Sequence, residues 1–479
     1  MMRVKFLAPL SAFAMLCGAC STEETKTALP ERSVFFDKSG MDTTVSPGEN
    51  FFLYANGGWL KNTEIPASET GWGSFYILFD ENLKNLRGIL EEVSVKDNSK
   101  GSTEQKVGDF YLSGMDTAAI DKRGYEPVKP LLAQIDGLKD YKQVVQFAAD
   151  QVKQGNNFLF SLYIGPDDKI SSKNAVNFQQ AGLGLPSRDY YFNKDAATET
   201  IRKEYLNYIT KLFTLTGSDS VSSRKKAEAI LKLETELAKS HSTPVELRDP
   251  VKNYNKFAVT DFHNQVQGLN VSELMKRLEL KTDTILVGQP NYYKSLSALL
   301  TTQPLELWKD KLKFEALSNA ASALQKDFRE ARFNFYGKVL SGQKQQQERW
   351  KQMVTKTDAG LGELLGQLYV ERYFPADAKE RMMTLVNNLQ KVYQSRIEKL
   401  DWMSPETKEK ALGKLNTFVK NIGYPDKWKS YDDVEISRDK YYENLQSIER
   451  HEYKEMAKKL GEPVDKSEWF MSPPTVNAY

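Results

Sequence analysis

Cysteine is nearly missing from this 479-residue chain. There are two, Cys17 and Cys20, both close to the N-terminus. The rest of the chain therefore has no disulfide framework, no cysteine nucleophile and no thiolate metal site. Histidine is almost as scarce, with only His241, His263 and His451. A zinc-binding helix of the H-E-x-x-H type needs two histidines at i, i+4, with a water-activating glutamate beside the first. Only His451-Glu452-Tyr453-Lys454-Glu455 begins that way, and it places Glu455 where the second histidine belongs. No G-x-S-x-G elbow, phosphate-cradling G-x-x-x-x-G-K-[ST] loop or strand-linked dinucleotide fingerprint occurs. Charge of one sign is lacking too: 66 Lys+Arg against 64 Asp+Glu give +2, which supplies no basic surplus for nucleic acid. No internal repeat of fixed period appears.

One apolar run is present, Phe6 to Leu16, preceded by Arg3 and Lys5. It is too short to span a membrane and has the form of a signal-peptide core. It closes on Leu16-Cys17-Gly18-Ala19-Cys20. Small residues before a cysteine resemble a bacterial lipoprotein processing site, which makes residues 1–19 a signal peptide and Cys20 the lipidated first residue. Cys17 stands where that pattern prefers Leu, Val or Ile, and a plain secretory signal is the alternative. Both readings send the protein out of the cytoplasm: to the bacterial cell envelope on a lipid anchor, or to a soluble secreted or periplasmic state. The polar stretch that follows, within 20–35, reads as a flexible tether.

Beyond the tether the pattern is mainly helical. Ser404-Pro405 is an N-cap followed by a first-turn proline, and the apolar stripe behind it runs from Ala411 to Ile422, ending at Gly423 and Pro425. Asp377 with Glu380 has the form of a capping box ahead of Met382, Leu385, Leu389, Val392 and Tyr393. Helical periodicity also marks 104–115, 141–153, 200–216, 227–238, 312–340 and 344–372. Strand-like runs are few: 157–164, 285–287 and the terminal 475–479. The expected fold is a large multi-helix domain with a few short strands.

Little of this carries chemistry. The 451–455 pair reads as partners on a solvated helix face, with weak metal binding as the sharper alternative. His241, before Ser242-Thr243-Pro244, reads as a turn or capping residue. His263 carries no signal. Paired carboxylates are uninformative in a chain with 64 acids.

Longer blocks say more. Pro47-Gly48-Glu49-Asn50-Phe51-Phe52-Leu53-Tyr54-Ala55-Asn56-Gly57-Gly58-Trp59 opens a series continued by Glu64-Ile65-Pro66 and Trp72-Gly73-Ser74-Phe75. Leu183-Gly184-Leu185-Pro186-Ser187-Arg188-Asp189-Tyr190-Tyr191, Arg248-Asp249-Pro250 with Tyr254-Asn255, and Gln289-Pro290-Asn291-Tyr292-Tyr293 follow. The later blocks are Glu348-Arg349-Trp350, Arg372-Tyr373-Phe374, Trp402-Met403-Ser404-Pro405-Glu406-Thr407 and Pro473-Pro474-Thr475-Val476-Asn477-Ala478-Tyr479. Singly these are weak; Gly57-Gly58, for instance, has the composition of an ordinary turn. Together, in order and spacing, they resemble the N-terminal region of the neprilysin and endothelin-converting-enzyme family of zinc metallopeptidases.

The resemblance implies a two-lobed, largely helical protein that encloses a cavity and cuts peptides with one zinc ion. In that family an H-E-x-x-H helix and a later glutamate lie downstream of the Asn-Ala-Tyr segment, on a thermolysin-like catalytic domain. It therefore implies no cofactor in this chain and zinc only in the complete protein. It divides the sequence into 36–75, packing near the catalytic half, a helical domain over 76–425, and the start of the catalytic domain over 426–479. Asn477 and Ala478 match the edge that holds the substrate main chain. Gly71 and Phe79 stand where neprilysin-like members carry carboxylate-gripping arginines, and Phe79 reads as a core residue. Two functions stay open. One is the N-terminal portion of such a peptidase, inactive alone, with its catalytic half continuing elsewhere or encoded separately. The other is a non-catalytic lipoprotein that binds peptides or proteins.

Overall fold

The computed structural model describes residues 38–478; Cys20, the tether and Tyr479 lie outside the described residues. The chain divides into two compact units, Met1–Glu64 and Ile65–Tyr479.

In the first unit, Asn50 caps the helix Phe51–Asn62 by accepting a hydrogen bond from Leu53 N at 3.0 Å. Gly57 and Gly58 lie inside this helix and form no turn. They let it close on the preceding loop: a Cβ at Gly57 would sit 2.6 Å from Asp42 Cβ, and one at Gly58 2.6 Å from Met41 O. The Lys61 ammonium, 2.7 Å from Asp42, holds that carboxyl down to about 2, helped by Thr44.

The second unit is mainly helical, as its periodicity predicts. Side-chain caps start its helices where short polar residues precede the apolar stripes: Ser102 for Thr103–Met115, Asp140 for Tyr141–Val152, Asp195 for Ala196–Leu215, Asp219 for Ser220–Ala238 and Ser404 for Pro405–Asn416. Ser74–Ser94, Thr103–Met115 and Arg349–Tyr373 pack together around Ile89, Leu90, Val107, Phe110 and Met353. Gly114 admits the Met353 side chain, since any Cβ there would overlap it. Another part of the same core is aromatic: Tyr208 stacks on Phe335 at 5.4 Å, and Phe314 meets both Tyr205 and Tyr208 edge-on.

Four strands make one small sheet in the order β1-β2-β4-β3. They are β1 (Ser161–Asp167), β2 (Ile170–Gln179), β3 (Lys256–Ala258) and β4 (Thr284–Val287). β1 and β2 form an antiparallel hairpin, β4 joins β2 in parallel, and β3 pairs antiparallel with β4. The buried Asp167 carboxylate ties this sheet together. It accepts from Lys169 N and Ile170 N in the hairpin turn, from Tyr254 Oη at 3.0 Å, and from Lys256 Nζ at 2.9 Å. Burial works against its charge, but these donors win and hold it at about 2.

Several expectations change. The helical segment expected over 312–340 is three pieces: Leu305–Ala320, Lys326–Arg332 and a π-helical stretch, Phe333–Leu340, with Leu324 extended between the first two. The helix that starts at Pro405 stops at Asn416, so Phe418, Val419 and Ile422 lie beyond it. Asp377 and Glu380 form no capping box, because the N-cap position is Pro375, without a side-chain acceptor. Thr475–Ala478 is not a strand: among the described residues it has no ladder partner, and strand propensity without an edge to pair with does not make a sheet.

Candidate functional site

The predicted peptide-binding residues lie on the closing segment. Its anchor is a glycine face of the kinked helix Arg349–Tyr373, whose Leu361 has non-helical φ −129° and ψ 33°. A Cβ at Gly362 would stand 3.0 Å from Ser472 Cβ, and one at Gly366 2.6 Å from Pro473 Cδ. The helix thus accepts Ser472-Pro473 only because side chains are missing there. Asn82 Nδ2 donates to Pro474 O from the Ser74–Ser94 helix. After a turn closed by Thr475 N to Ser472 O at 3.0 Å, the chain emerges with Asn477 and Ala478 exposed. Asn477 Oδ1 accepts from Ala478 N at 2.8 Å. Beneath the turn, burial pushes the Asp358 carboxyl up to about 6, against the opposing effect of the Ser472 hydroxyl.

The 451–455 pair is not a solvated face. His451 is 2% exposed, its Nδ1 lies 2.6 Å from Asp433 Oδ1, and its ring sits 4.6 Å from that of Tyr431. Lys454 and His451 hold Asp433 at about 2. The apolar environment of the Tyr441–Lys458 helix explains the difference: His451 shares its inner face with Tyr441 and Ile448. His241 follows the Ser220–Ala238 helix in a turn, its ring edge-on to Tyr292 at 5.0 Å, and burial lowers it to about 4. Among the described residues no three His, Cys, Asp or Glu side chains lie together as a metal site would need. The described residues do not fit a catalytic zinc.

A Cβ at Gly71 would meet Tyr76 Oη at 2.9 Å, the tip of an exposed side chain that would have to move aside. Phe79 does not pack in the core: it is 43% exposed, in a row with exposed Phe75 and Leu78. A second uncovered stripe runs along Ala376–Lys399, where Met382, Leu385, Leu389, Val392 and Tyr393 are all exposed and no residue of the helix is buried. The apolar residues that follow Asp377 and Glu380 in the sequence form this stripe. A polar cavity of about 440 Å³ lies between Gln154–Phe158, Glu315 and Glu449.

The sequence model described as peptidase family M13 matches residues 47–425. The chain belongs to that family. Its M13 relatives include an endothelin-converting enzyme homolog from Locusta migratoria, 30% identical over 92% of this chain and 64% of that protein. Human neprilysin is 29% identical over 92% of this chain and 63% of its own length. The fold matches the zinc metalloprotease ZMP1 of Mycobacterium tuberculosis, solved with an inhibitor, at a TM-score of 0.87 and 33% identity, covering 93% of this chain and 67% of that one. The M13 chain described here thus spans less than two thirds of the length of these curated relatives.

Proposed function

We propose that this chain forms the helical, substrate-enclosing part of a neprilysin-like zinc metalloendopeptidase acting on peptides outside the cytoplasm. The observation that carries this reading is the family match across 47–425 together with the ZMP1-like fold. In this reading the zinc and its general base come from sequence corresponding to the relatives' remaining length, continuous with this chain or supplied separately. Cys20 tethers the protein to a cell-envelope membrane through lipid.

The chemistry assigned to these residues is binding and orientation. An extended peptide adds its main chain to an exposed backbone edge. Asn477 carries an amide of the kind that both donates and accepts; its Oδ1 accepts from Ala478 N, a bond that a peptide main chain would exchange for its own. The two uncovered apolar stripes, on Ser74–Ser94 and Ala376–Lys399, support a further protein layer over this chain, because contiguous apolar patches on a soluble protein mark interaction surfaces.

The test is direct. The purified chain is expected to bind no stoichiometric zinc by elemental analysis and to leave a quenched-fluorescence peptide uncut. Tightly bound zinc at one equivalent, with chelator-sensitive cleavage, would overturn the division of labour. Reading the coding sequence after Tyr479 supplies the second arm. A continuation with H-E-x-x-H supports the peptidase, and its absence there and nearby supports a peptide-binding lipoprotein.

A further inference from the structure

A second cavity, of about 280 Å³, opens beside the π-helical stretch Phe333–Leu340. Three guanidinium groups line it, those of Arg329, Arg332 and Arg349, and among the described residues no carboxylate does. Arg329 is paired with Asp121 at 2.9 Å. The other two have no carboxylate partner among the described residues. Arg332 donates to Ser318 O at 3.2 Å and lies 4.8 Å over the Tyr336 ring. Arg349 donates Nε–H to Gly114 O at 2.8 Å, while its Nη2 is buried with no hydrogen-bond partner. Burial, with the neighbouring Arg329, works against the Arg349 charge, and Tyr441 and Asp121 oppose it only in part.

The backbone around the cavity is shaped to hold it open. π-Helical turns are rare and concentrate at functional sites. Here the turn sets Tyr336 against the arginines and leaves Gly337 facing Phe333 and Gln343, where any Cβ would collide with the Phe333 ring. The outer wall is fixed by Gln343 Nε2 to Ser68 O at 3.0 Å and Gln347 Nε2 to Glu69 Oε1 at 2.9 Å. That wall is bonded to residues just before Gly71, the position at which the family's carboxylate-gripping arginine is missing.

Two guanidinium groups without a carboxylate partner face this cavity, and the buried Arg349 Nη2 donor is costly to leave unmet. Arginine's planar fork matches a carboxylate better than any other cation does. We propose that the Arg329–Arg332–Arg349 cavity is an anion subsite for a carboxylate of a bound peptide, either its C-terminal group or an acidic side chain. The proposal rests on the peptidase reading and adds to it a substrate preference that Gly71 and Phe79 cannot supply.

Calorimetric titration of the 479-residue chain with three peptides tests it. They are an N-acetylated pentapeptide of Ala, Phe and Leu with a free C-terminus, its C-terminal amide, and the amide carrying one internal Glu. A carboxylate form is expected to bind at least about tenfold tighter than the neutral amide, as a charged hydrogen bond supplies. The advantage shrinks at higher salt, and which form gains it names the carboxylate. Arg332→Gln abolishes the difference and Arg332→Lys restores part of it. Arg332 is preferred to Arg349 because Arg349 also holds Gly114 O, and unchanged circular dichroism controls for folding. Inorganic phosphate that displaces the carboxylate peptide supports the subsite; phosphate binding without any carboxylate-peptide binding overturns the peptide assignment. Equal affinity of the neutral amide overturns the subsite and leaves the peptidase reading intact. No binding by any of the three also overturns it, whereas the peptidase reading stands or falls on zinc and cleavage by the extended protein.

Discussion

Replacing Glu315 by Gln should stabilise the protein at neutral pH and flatten part of its pH profile. Lys311, almost fully buried, is 2.5 Å from Glu315 Oε1, and Glu315 itself is only 17% exposed. The same lysine faces the fully buried Glu234, which accepts from Tyr191 Oη at 2.8 Å and Tyr205 Oη at 2.9 Å. One cation thus serves two carboxylates, and Glu315 Oε2 has no partner. Burial outweighs Lys311 and pushes Glu315 up to about 7, and burial raises Glu234 as well. A raised acid favours the folded state only while it is protonated. The contribution is complete below the ordinary glutamate value of 4.5, is lost as pH climbs from there to about 7, and changes no further above. A rise of that size corresponds to about 3 kcal/mol. Glutamine keeps the shape without the proton, so the variant should match the parent near pH 4.5 and exceed it by up to about 3 kcal/mol at pH 7.5. Urea unfolding followed by tryptophan fluorescence is a suitable assay, since Trp308 is fully buried on the same helix, Leu305–Ala320. Subtracting the two pH profiles cancels the distant titrating groups, and leaves Glu315 together with Glu234, which shares its lysine. Parallel profiles across pH 4.5–7.5, or a variant less stable than the parent at pH 7.5, would refute the reasoning.

Lys311→Met should do the opposite, costing about 3–5 kcal/mol by stranding two buried carboxylates, with the loss deepening toward high pH in the same unfolding assay. Gly366→Ala gains about 1 kcal/mol of helix propensity, but its Cβ meets Pro473 Cδ at 2.6 Å. Overpacking of about 1–3 kcal/mol should win and speed hydrogen exchange in 472–478. Gly413→Ala, with nothing within 4 Å of its Cβ, is the control and should raise the melting temperature. Hydrogen exchange on the parent chain should be faster in Ala376–Lys399 and Thr475–Ala478 than in Tyr441–Lys458, whose Tyr441, Ile448 and His451 are buried; equal protection would contradict that ordering.

Helices were legible in the sequence from their apolar periodicity, and Pro405–Asn416 also from its Ser404 cap. Ser102, Asp140, Asp195, Asp219 and Ser404 each cap a helix because a side-chain oxygen reaches a first-turn N–H without help from tertiary contacts. Features that depend on a distant partner were not legible. β2 begins Ile-Ser-Ser-Lys-Asn, a polar run that becomes a strand by pairing with β1, whereas Val476 has the propensity but no partner. His451 looked solvated because its burial is set by Tyr431 and Asp433, roughly two turns of irregular chain away from the helix that carries it. The arginine cavity was invisible for the same reason: Arg329 and Arg332 meet Arg349 only because the chain turns back after the π-helical stretch.

The Arg349–Tyr373 helix also acts as a ruler. It carries Arg349 of the anion cavity near its start and Gly366, the seat of Pro473, toward its other end. At about 1.5 Å per residue an unbroken helix would separate positions 349 and 366 by about 25 Å, and the bend at Leu361 shortens the path. An extended peptide rises about 3.3 Å per residue, so on the order of seven residues would cover the distance between the cavity and the seat of Pro473. Under the proposed function, a peptide held at both positions would have its length set by this helix.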